Sequence, residues 1–456
     1  MRSGDTIVAL SSGAPPSGVA VIRLSGPDVS AIVSEIAGNL PEPRRLTLRP
    51  IGRQSLLDRG LVAWFPAPHS FTGEDCAELQ VHGSPAGVRA ILQLITSKGA
   101  RLAEPGEFTR RAFENGKLDL VEIEGLGDLL DAETENQRRQ ALARFEGGLS
   151  QRIDAWRDQL LDLRAEIEAR LDFSDEGDVT DLPAGFGDSI AALRQDIELA
   201  LSSIEHGCII REGIRVALAG PPNAGKSSLL NALAKSDIAI VTDEAGTTRD
   251  VREVPLDIDG QLYILLDLAG LRETESKAEA EGIRRARLAI DQADIVLWLV
   301  APDIPNEALS SQNHQPDSSP YQEEARRGYP LETSSTAPNA TRRLMIGTKS
   351  DLGPVANVDL LVSTRSGEGL DTLVRRIADL GSSLMTGEPS LLSRERDRLA
   401  LHSAVEALDI AGRQLAMPEL AAESLRLASQ SLERLVGRID AERVLDRLFA
   451  SFCIGQ

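Results

Sequence analysis

Cysteine is scarce in this chain: Cys76, Cys208 and Cys453 are the only three in 456 residues, and none lies in a C-x-x-C spacing. That excludes a disulfide framework and fits a reducing cytoplasm. The five histidines are scattered, with no H-x-x-x-H pair, so no zinc site is expected. Aromatic residues make up 3% of the chain, and no basic, aromatic-rich segment of the kind that forms a compact RNA-binding module is present. No run reaches the ~18 apolar residues a membrane helix needs, and no basic stretch leads into an apolar core at the N-terminus, so a soluble, non-exported, cytoplasmic protein is expected. Positive charge is the minority sign. With 70 acidic against 49 basic residues the net charge is −21, which argues against a surface built broadly for nucleic acid. Any RNA contact then has to be a local basic patch or be shared with a partner. The length calls for two to three domains rather than one core.

What is present begins at Gly220. Gly220 to Ser227 reads G-P-P-N-A-G-K-S, matching G-x-x-x-x-G-K-S/T, the loop whose backbone N–H groups wrap nucleotide phosphates. An apolar run (Ile214, Val216, Leu218) precedes it as a strand would, and Ser228 to Leu233 follows with helical character. Asn223, Ala224, Gly225, Lys226, Ser227 and Ser228 are the expected phosphate-side contacts. Lys226 is expected to neutralise the β- and γ-phosphates, and Ser227 to ligate Mg2+.

Further elements follow in order. Tyr263 to Leu266 is a buried-strand run ending at Asp267, and Asp267-Leu268-Ala269-Gly270 matches D-x-x-G, with the carboxylate in the magnesium shell and the Gly270 N–H at the γ-phosphate. Thr348-Lys349-Ser350-Asp351 is similar to N-K-x-D, in which the aspartate accepts from N1–H and the exocyclic amine of guanine. Adenine has an acceptor at N1 and would leave that carboxylate unpaired. Ser363-Thr364-Arg365 is similar to the last base-contacting loop, S-A-K/R. Together these elements specify GTP. Thr248, within Gly246-Thr247-Thr248-Arg249-Asp250, is the expected switch threonine on the metal. The position after D-x-x-G, a water-orienting glutamine in Ras-like switches, is Leu271, so hydrolysis needs another arrangement or is slow. Asn223 offers one, because an asparagine there is typical of GTPases that place K+ where others use an arginine finger. The alternative for Asn223 is loop-turn chemistry.

The expected architecture is multi-domain: an N-terminal α/β domain over 1–118, a helical domain over 119–213 and 381–456, and a P-loop (Ras-like) GTPase domain over 214–380 inserted between its halves. Apolar residues recur at three- and four-residue spacing from 119 to 173, as in Ile153, Trp156, Leu160 and Leu163. The pattern returns over Ile190–Ile204, Leu399–Leu415 and Leu420–Phe452, giving amphipathic helices of a discontinuous bundle. In 1–118, short apolar runs (Ile7–Leu10, Val19–Ile22, Leu61–Trp64, Leu79–His82) alternate with turns and a helix near Val88–Ser97. Pro302 to Asn339, rich in Ser, Pro, Asn, Gln and Glu, reads as a disordered surface insert.

Asp5-Thr6-Ile7-Val8-Ala9, Gly18 to Gly26, Phe71-Thr72-Gly73-Glu74-Asp75, Glu78-Leu79-Gln80, Pro105-Gly106-Glu107-Phe108-Thr109, Asn115-Gly116-Lys117-Leu118-Asp119-Leu120 and the terminal Cys453-Ile454-Gly455 resemble the MnmE (TrmE) family of bacterial tRNA-modification GTPases. The resemblance covers nearly the whole chain apart from the 302–339 insert. It implies a homodimer working with a flavin-dependent partner, MnmG (GidA), to install a carboxymethylaminomethyl-type group at C5 of the wobble uridine of certain tRNAs. It also implies that GTP hydrolysis drives dimerisation of the G domains and is stimulated by K+, and that 5-formyl-tetrahydrofolate or a related reduced folate binds the N-terminal domain.

Carried over by motif, Arg23, Glu78 and Lys117 would lie at the folate, with Lys117 or Arg23 meeting its glutamate carboxylates and Glu78 its pterin-like donor edge. Asn223, Thr242, Glu244 and Thr247 match the potassium-holding positions, within a nucleotide- and ion-lining segment Thr242, Asp243, Glu244, Ala245, Gly246, Thr247 and Thr248. Glu279 matches the glutamate that orients the hydrolytic water, and Cys453 is a tail thiol near the folate that matters for modification.

Three positions depart from the family pattern: Leu268 for Thr in D-T-A-G, Thr348 for Asn, and Gln456 for the terminal lysine, which removes a charge from any folate or RNA contact there. Two other readings stay open, a regulatory RNA-assembly GTPase and a folate-binding scaffold without modification activity.

Overall fold

The computed structural model describes residues 4–172, 182–240, 252–267, 290, 292–304, 342–385, 390–439, 444–445, 448–449, 452 and 455. Packing divides the chain into two compact units, one made of 1–130, 142–198 and 399–456, the other of 131–141 and 199–398.

The first unit opens with a six-stranded sheet: β1 (Ile7–Leu10), β2 (Ser17–Ser25), β3 (Thr47–Ile51), β4 (Asp58–Phe65), β5 (Cys76–Gly83) and β6 (Arg101–Leu102), in the order β3-β4-β5-β2-β1-β6. All pairings are antiparallel except β1 with β6. Side-chain alternation along β1 divides its burial between two layers. Val8 joins Ile22, Leu24 and Leu79 under the helices α1 (Val29–Ala37) and α2 (Pro85–Thr96), while Ile7 and Ala9 pack with Phe108 of α3 (Glu107–Glu114). Ser84 caps α2, its hydroxyl accepting from the Gly87 N–H, and Pro85 starts the helix where its missing N–H costs nothing.

The run from 119 to 173 is broken into α4 (Leu120–Leu130), α5 (Glu135–Phe145) and α6 (Gly148–Asp172). Gly147, at φ 84°, supplies the second break. Ile153, Trp156, Leu160, Leu163 and Ile167 form one buried stripe on α6. Further stripes lie on α7 (Phe186–Ser202; Ile190, Leu193, Ile197), α11 (Glu395–Arg413; Leu401, Ala404, Leu408, Ala411) and α12 (Pro418–Leu435; Ala421, Leu425, Ala428, Leu432). α6 and α12 pack side by side, and the Trp156 indole N–H reaches Asp196 of α7 at 2.6 Å. Past Gly437, the described aromatics Phe449 and Phe452 pack with Leu120 and Ile123, and Gly455 lies against Leu10, where a Cβ would come within 2.2 Å of the carbonyl oxygen.

The second unit holds a sheet in the order β12-β11-β10-β7-β9-β8. β7 (Ile214–Ala219), β9 (Gln261–Asp267), β10 (Ile295–Val300), β11 (Arg342–Gly347) and β12 (Leu360–Leu361) run parallel, and β8 (Arg252–Ile258) is an antiparallel edge. Both faces of this sheet are covered, as buried parallel strands require. Val216 and Leu218 face α9 (Lys226–Leu233) and α10 (Leu370–Ser382), and Ala217 and Ala219 face a second layer with Trp298. α8 (Ile204–Glu212) precedes β7, so the compact unit is wider than 214–380. Of the 302–339 insert, residues 305–339 lie outside the described residues. No helix among the described residues is long and apolar enough to cross a membrane.

Candidate functional site

β7 ends at Ala219, and the backbone turns at Gly220 with φ 134°, where a Cβ would sit 2.3 Å from the Leu299 carbonyl oxygen. Glycine alone tolerates both the angle and the approach. Asn223 (φ 62°) and Gly225 (φ 90°) then curl the loop so that α9 starts at Lys226. Residues 224–228 thereby present backbone N–H groups at a helix N-terminus, a site suited to phosphate. The Lys226 ammonium folds across the loop, donating to the carbonyls of Gly220 and Pro221 at 2.8 and 2.9 Å.

Parallel pairing of β7 with β9 sets Leu218 beside Asp267, so the buried Asp267 carboxylate ends next to the first turn of α9. The Ser227 hydroxyl donates to Asp267 Oδ2 at 2.8 Å. This apposes two hard oxygen ligands beside the phosphate loop, a donor set that fits Mg2+.

The base-side loops converge from the other edge of the sheet. Thr348 follows β11 and is 2% exposed; its N–H donates to Val300 O at 2.8 Å. Its hydroxyl donates to the carbonyl of Ala224 at 2.7 Å, with Val300 O at 3.2 Å as the second acceptor. Thr348 therefore ties the base-side loop to the phosphate loop, which is what a hydroxyl in place of the asparagine amide can do. Lys349, at φ 54°, pairs with Asp303 at 2.6 Å. The Ser350 N–H donates to Val362 O. Asp351 stays exposed, and its Oδ1 accepts from Ser363 Oγ at 2.7 Å. Ser363 Oγ in turn accepts from the backbone N–H groups of Arg365 and Ser366 at 3.3 Å, so the turn through Thr364 and Arg365 orients the Asp351 carboxylate.

Asn223, Ala224, Gly225, Lys226, Ser227, Ser228, Asp267, Thr348, Lys349, Ser350, Asp351, Ser363, Thr364 and Arg365 are thus gathered at the carboxyl ends of β7, β9, β11 and β12, where ligands of open α/β sheets bind. Thr242 to Thr248, Leu268, Ala269, Gly270, Glu279, Cys453 and Gln456 lie outside the described residues.

A second constellation sits in the N-terminal sheet. Arg23 of β2 lies opposite Glu78 of β5 in register, and its guanidinium reaches Glu78 Oε1 at 3.0 Å. The same guanidinium lies 5.6 Å from the Phe71 ring and 5.8 Å from the Phe108 ring. The Lys117 stem packs at Gly73, two residues along the same loop, and Asn115 donates to Thr72 O. An arginine on two aromatic faces, a carboxylate and a nearby lysine form a donor and acceptor set that fits a flat heterocycle carrying carboxylates.

Beneath it runs a charge network that motif reading alone did not assign. Arg111 bonds Asp5 at 2.6 Å, Glu74 at 3.0 Å and Glu107 at 3.1 Å, and Arg101 bonds Asp5 at 2.6 Å and Glu107 at 2.8 Å. Burial works to raise the carboxyl pKa of Asp5 and Glu107, but hydrogen bonds from Arg101 and Arg111 outweigh it and hold both below their ordinary values. Its carboxylates Asp5, Glu74 and Glu107 lie in the quoted motifs, but Arg101 and Arg111 lie outside them, and which carboxylate meets which guanidinium is set by the fold.

The parallel sheet, its phosphate loop and the Ser227–Asp267 pair define a P-loop GTPase carrying an N-terminal α/β sheet and long helices. Residues 6–117 match the model of the "GTP-binding protein TrmE N-terminus", and 120–453 match that of the "MnmE helical domain". The chain belongs to the MnmE family of tRNA modification GTPases, and its enzymatic class is GTP hydrolase.

It is 47% identical over 466 residues to the tRNA modification GTPase MnmE of Rhizobium johnstonii, covering 99% of each chain. It is 48% identical over 463 residues to that of Rhizobium etli, also 99% of each, and 46% identical over 467 residues to that of Azorhizobium caulinodans, 100% of each. Among solved structures, the G domain of the T. maritima FeoB iron transporter is 23% identical, with 37% of this chain and 98% of that chain aligned at a TM-score of 0.24.

Proposed function

We propose that this chain is the GTP-hydrolysing half of a cytoplasmic tRNA modification system. With a flavoprotein partner of the MnmG (GidA) type, it places a carboxymethylaminomethyl-type group on C5 of the wobble uridine of certain tRNAs. The observation that carries the reading is the continuous bonding of the nucleotide site, Asp267–Ser227 on the phosphate side and Asp351–Ser363 with Thr348–Ala224 on the base side, within a chain whose whole length follows the family.

In hydrolysis, water attacks the γ-phosphorus and the bond to the β,γ-bridging oxygen breaks, giving GDP and phosphate. Lys226 and the amides of 224–228 would bind the β- and γ-phosphates, and Ser227, Thr248 and Asp267 would hold Mg2+. Mg2+ when bound neutralises charge developing on the phosphate oxygens. Asp351 would read guanine. Glu279 is assigned to orient the water, a task Leu271 cannot perform. Asn223, with Thr242, Glu244 and Thr247, would hold K+, and a left-handed Asn223 at the mouth of the loop is compatible with that role.

The four-part division 1–118, 119–213, 214–380 and 381–456 belongs to the same proposal, with a reduced folate at Arg23, Glu78 and Lys117, Cys453 and Gln456 nearby, and a homodimer through the N-terminal domain. The Arg23–Glu78 pair between two aromatic rings supports the folate assignment.

The test is complementation. A strain lacking its own family member receives this chain or its Ser227→Ala variant, and the wobble nucleosides are measured by mass spectrometry. Modification restored by the wild-type chain and absent with Ser227→Ala is expected. A well-expressed wild-type chain that turns over GTP but restores no modification would leave the regulatory GTPase or the folate scaffold as the better reading.

A further inference from the structure

β8 and β9 form a two-stranded ribbon with two distinct ends. At one end Arg252 lies opposite Asp267, the residue bonded to Ser227; at the other Ile258 lies opposite Gln261 across an Asp259–Gly260 turn. Asp259 at φ 54° and Gly260 at φ 80° make this the tight two-residue hairpin that suits twisted strands. Seven residues of β9 separate the ends, about 20 Å at strand rise.

The far tip of this ribbon abuts the first turns of α5. The Asn136 N–H donates to Gly260 O at 3.0 Å, and a Cβ at Gly260 would lie 3.6 Å from that of Glu135. Four further bonds from three amide side chains fix the same neighbourhood. Gln261, 2% exposed, donates to Ile209 O at 3.0 Å, Gln137 donates to Arg211 O at 3.0 Å, and Gln140 donates to Gly207 O and Ser390 O at 3.1 and 2.7 Å. Gly207 meets the 390–392 segment so closely that a Cβ would lie 1.9 Å from Leu392 O. α5 thus holds three separate pieces of chain: the ribbon tip, the end of α8 that leads into β7, and the segment that follows α10.

The geometry points to α5 as a strut that sets the position of the β8–β9 ribbon, making Asn136 and Gln261 positioning residues for GTP hydrolysis. β8 is the edge strand of the sheet, bridged on its outer side at Leu256 by Ala239, whereas β9 is paired with β7 from Tyr263 to Asp267, so α5 holds the starts of both strands, β9 at Gly260 and β7 through the end of α8. A displacement at Gly260 and Arg211 shifts the paired β9 and β7 together, and with them Asp267 and the phosphate loop in which these strands end. Conversely, a change of nucleotide bound beside Asp267 would bias the same strands, and the Asn136–Gly260 bond is where that bias would be felt. This inference rests on the nucleotide site lying at Ser227 and Asp267.

Amide hydrogen exchange on the full-length protein, saturated with GDP or with GDP plus aluminium fluoride, tests it. The Asn136 amide is expected to exchange at rates differing by about fivefold or more between the two states. Protection of the phosphate-loop amides 224–228 with equal exchange at Asn136 would overturn the strut and leave the nucleotide site standing. Loss of protection at 224–228 as well would overturn both.

Gly260→Asn supplies a second readout. Asparagine tolerates the left-handed backbone, its Cβ would meet Glu135 at ordinary contact distance, and its amide must then find room beside Asn136. A kcat lowered about fivefold, with KM and the melting temperature unchanged, is expected for a positioning role; an unchanged kcat would overturn it.

Discussion

Replacing Thr348 by valine keeps the shape of a buried side chain and removes one hydroxyl. In the wild-type protein that hydroxyl donates to the carbonyl of Ala224, itself fully buried, at 2.7 Å. Valine leaves the carbonyl without this donor, and an unsatisfied buried acceptor costs about 1–3 kcal/mol. The cost falls on the phosphate-loop conformation, because Ala224 lies in the middle of that loop and next to Gly225, whose ideal Cβ lies 3.5 Å from Thr348 Oγ1. If the loop must be held in this form to bind phosphates, the loss converts to about 5- to 100-fold weaker GDP binding, at 1.4 kcal/mol per decade. The assay is fluorescent-GDP titration in Mg2+ buffer for the wild type, Thr348→Val and Thr348→Ser. Serine retains the donor and should stay within about twofold of wild type, allowing for a small packing loss. Equal affinity for wild type and Thr348→Val would mean that the hydroxyl plays no part in holding the loop.

Acid should act on the N-terminal sheet through Asp5 and Glu107. Both have folded-state pKa values below their ordinary 3.8 and 4.5, so their stabilisation is fully present above those values and is lost as pH falls through the lower folded ones. Arg111→Met should therefore move the midpoint of acid unfolding, followed by circular dichroism, to higher pH. It should also lower stability near neutrality by about 1–3 kcal/mol, because Glu107 and Asp5 keep Arg101 but each loses a charged hydrogen bond. In the N-terminal site, Arg23→Ala should weaken binding of 5-formyl-tetrahydrofolate about tenfold or more, measured by calorimetry, while GTP turnover stays unchanged. Folate binding indifferent to this change would remove Arg23 from the assignment.

The strands that read clearly in the sequence are those whose composition is continuous or alternating. The run Ile7–Leu10 is β1 to the residue, and the run closing at Asp267 is β9. Strands β3 and β8 did not stand out, and each carries a proline, Pro50 and Pro255, that breaks the pattern. Both are edge strands, the place in a sheet where a missing N–H is tolerated. Asp259–Gly260 is a two-residue hairpin signal that went unread because β8, one of the two strands it joins, was hidden by Pro255.

The residues of the proposed nucleotide site lie in short local motifs at the ends of strands, which a sequence displays directly. The Thr348–Ala224 bond and the Arg101–Arg111 network could not be read this way. They join residues 124 positions apart in one case and up to 106 in the other, and only folding decides which carboxylate meets which guanidinium. The breaks in the 119–173 helical run were equally hidden, since the apolar spacing continues across Gly147 while the backbone does not.

GTP turnover in K+ against Na+ at matched ionic strength, for the wild type, Asn223→Ala and Glu279→Ala, separates a potassium-and-glutamate mechanism from a loop in which Asn223 is only a turn residue. Strong K+ stimulation is expected in the wild type and lost with Asn223→Ala, and hydrolysis should collapse in both salts with Glu279→Ala. Equal rates in the two salts, untouched by either substitution, would contradict that mechanism: Asn223 would then be a turn residue only, and the water would be positioned by a group other than Glu279.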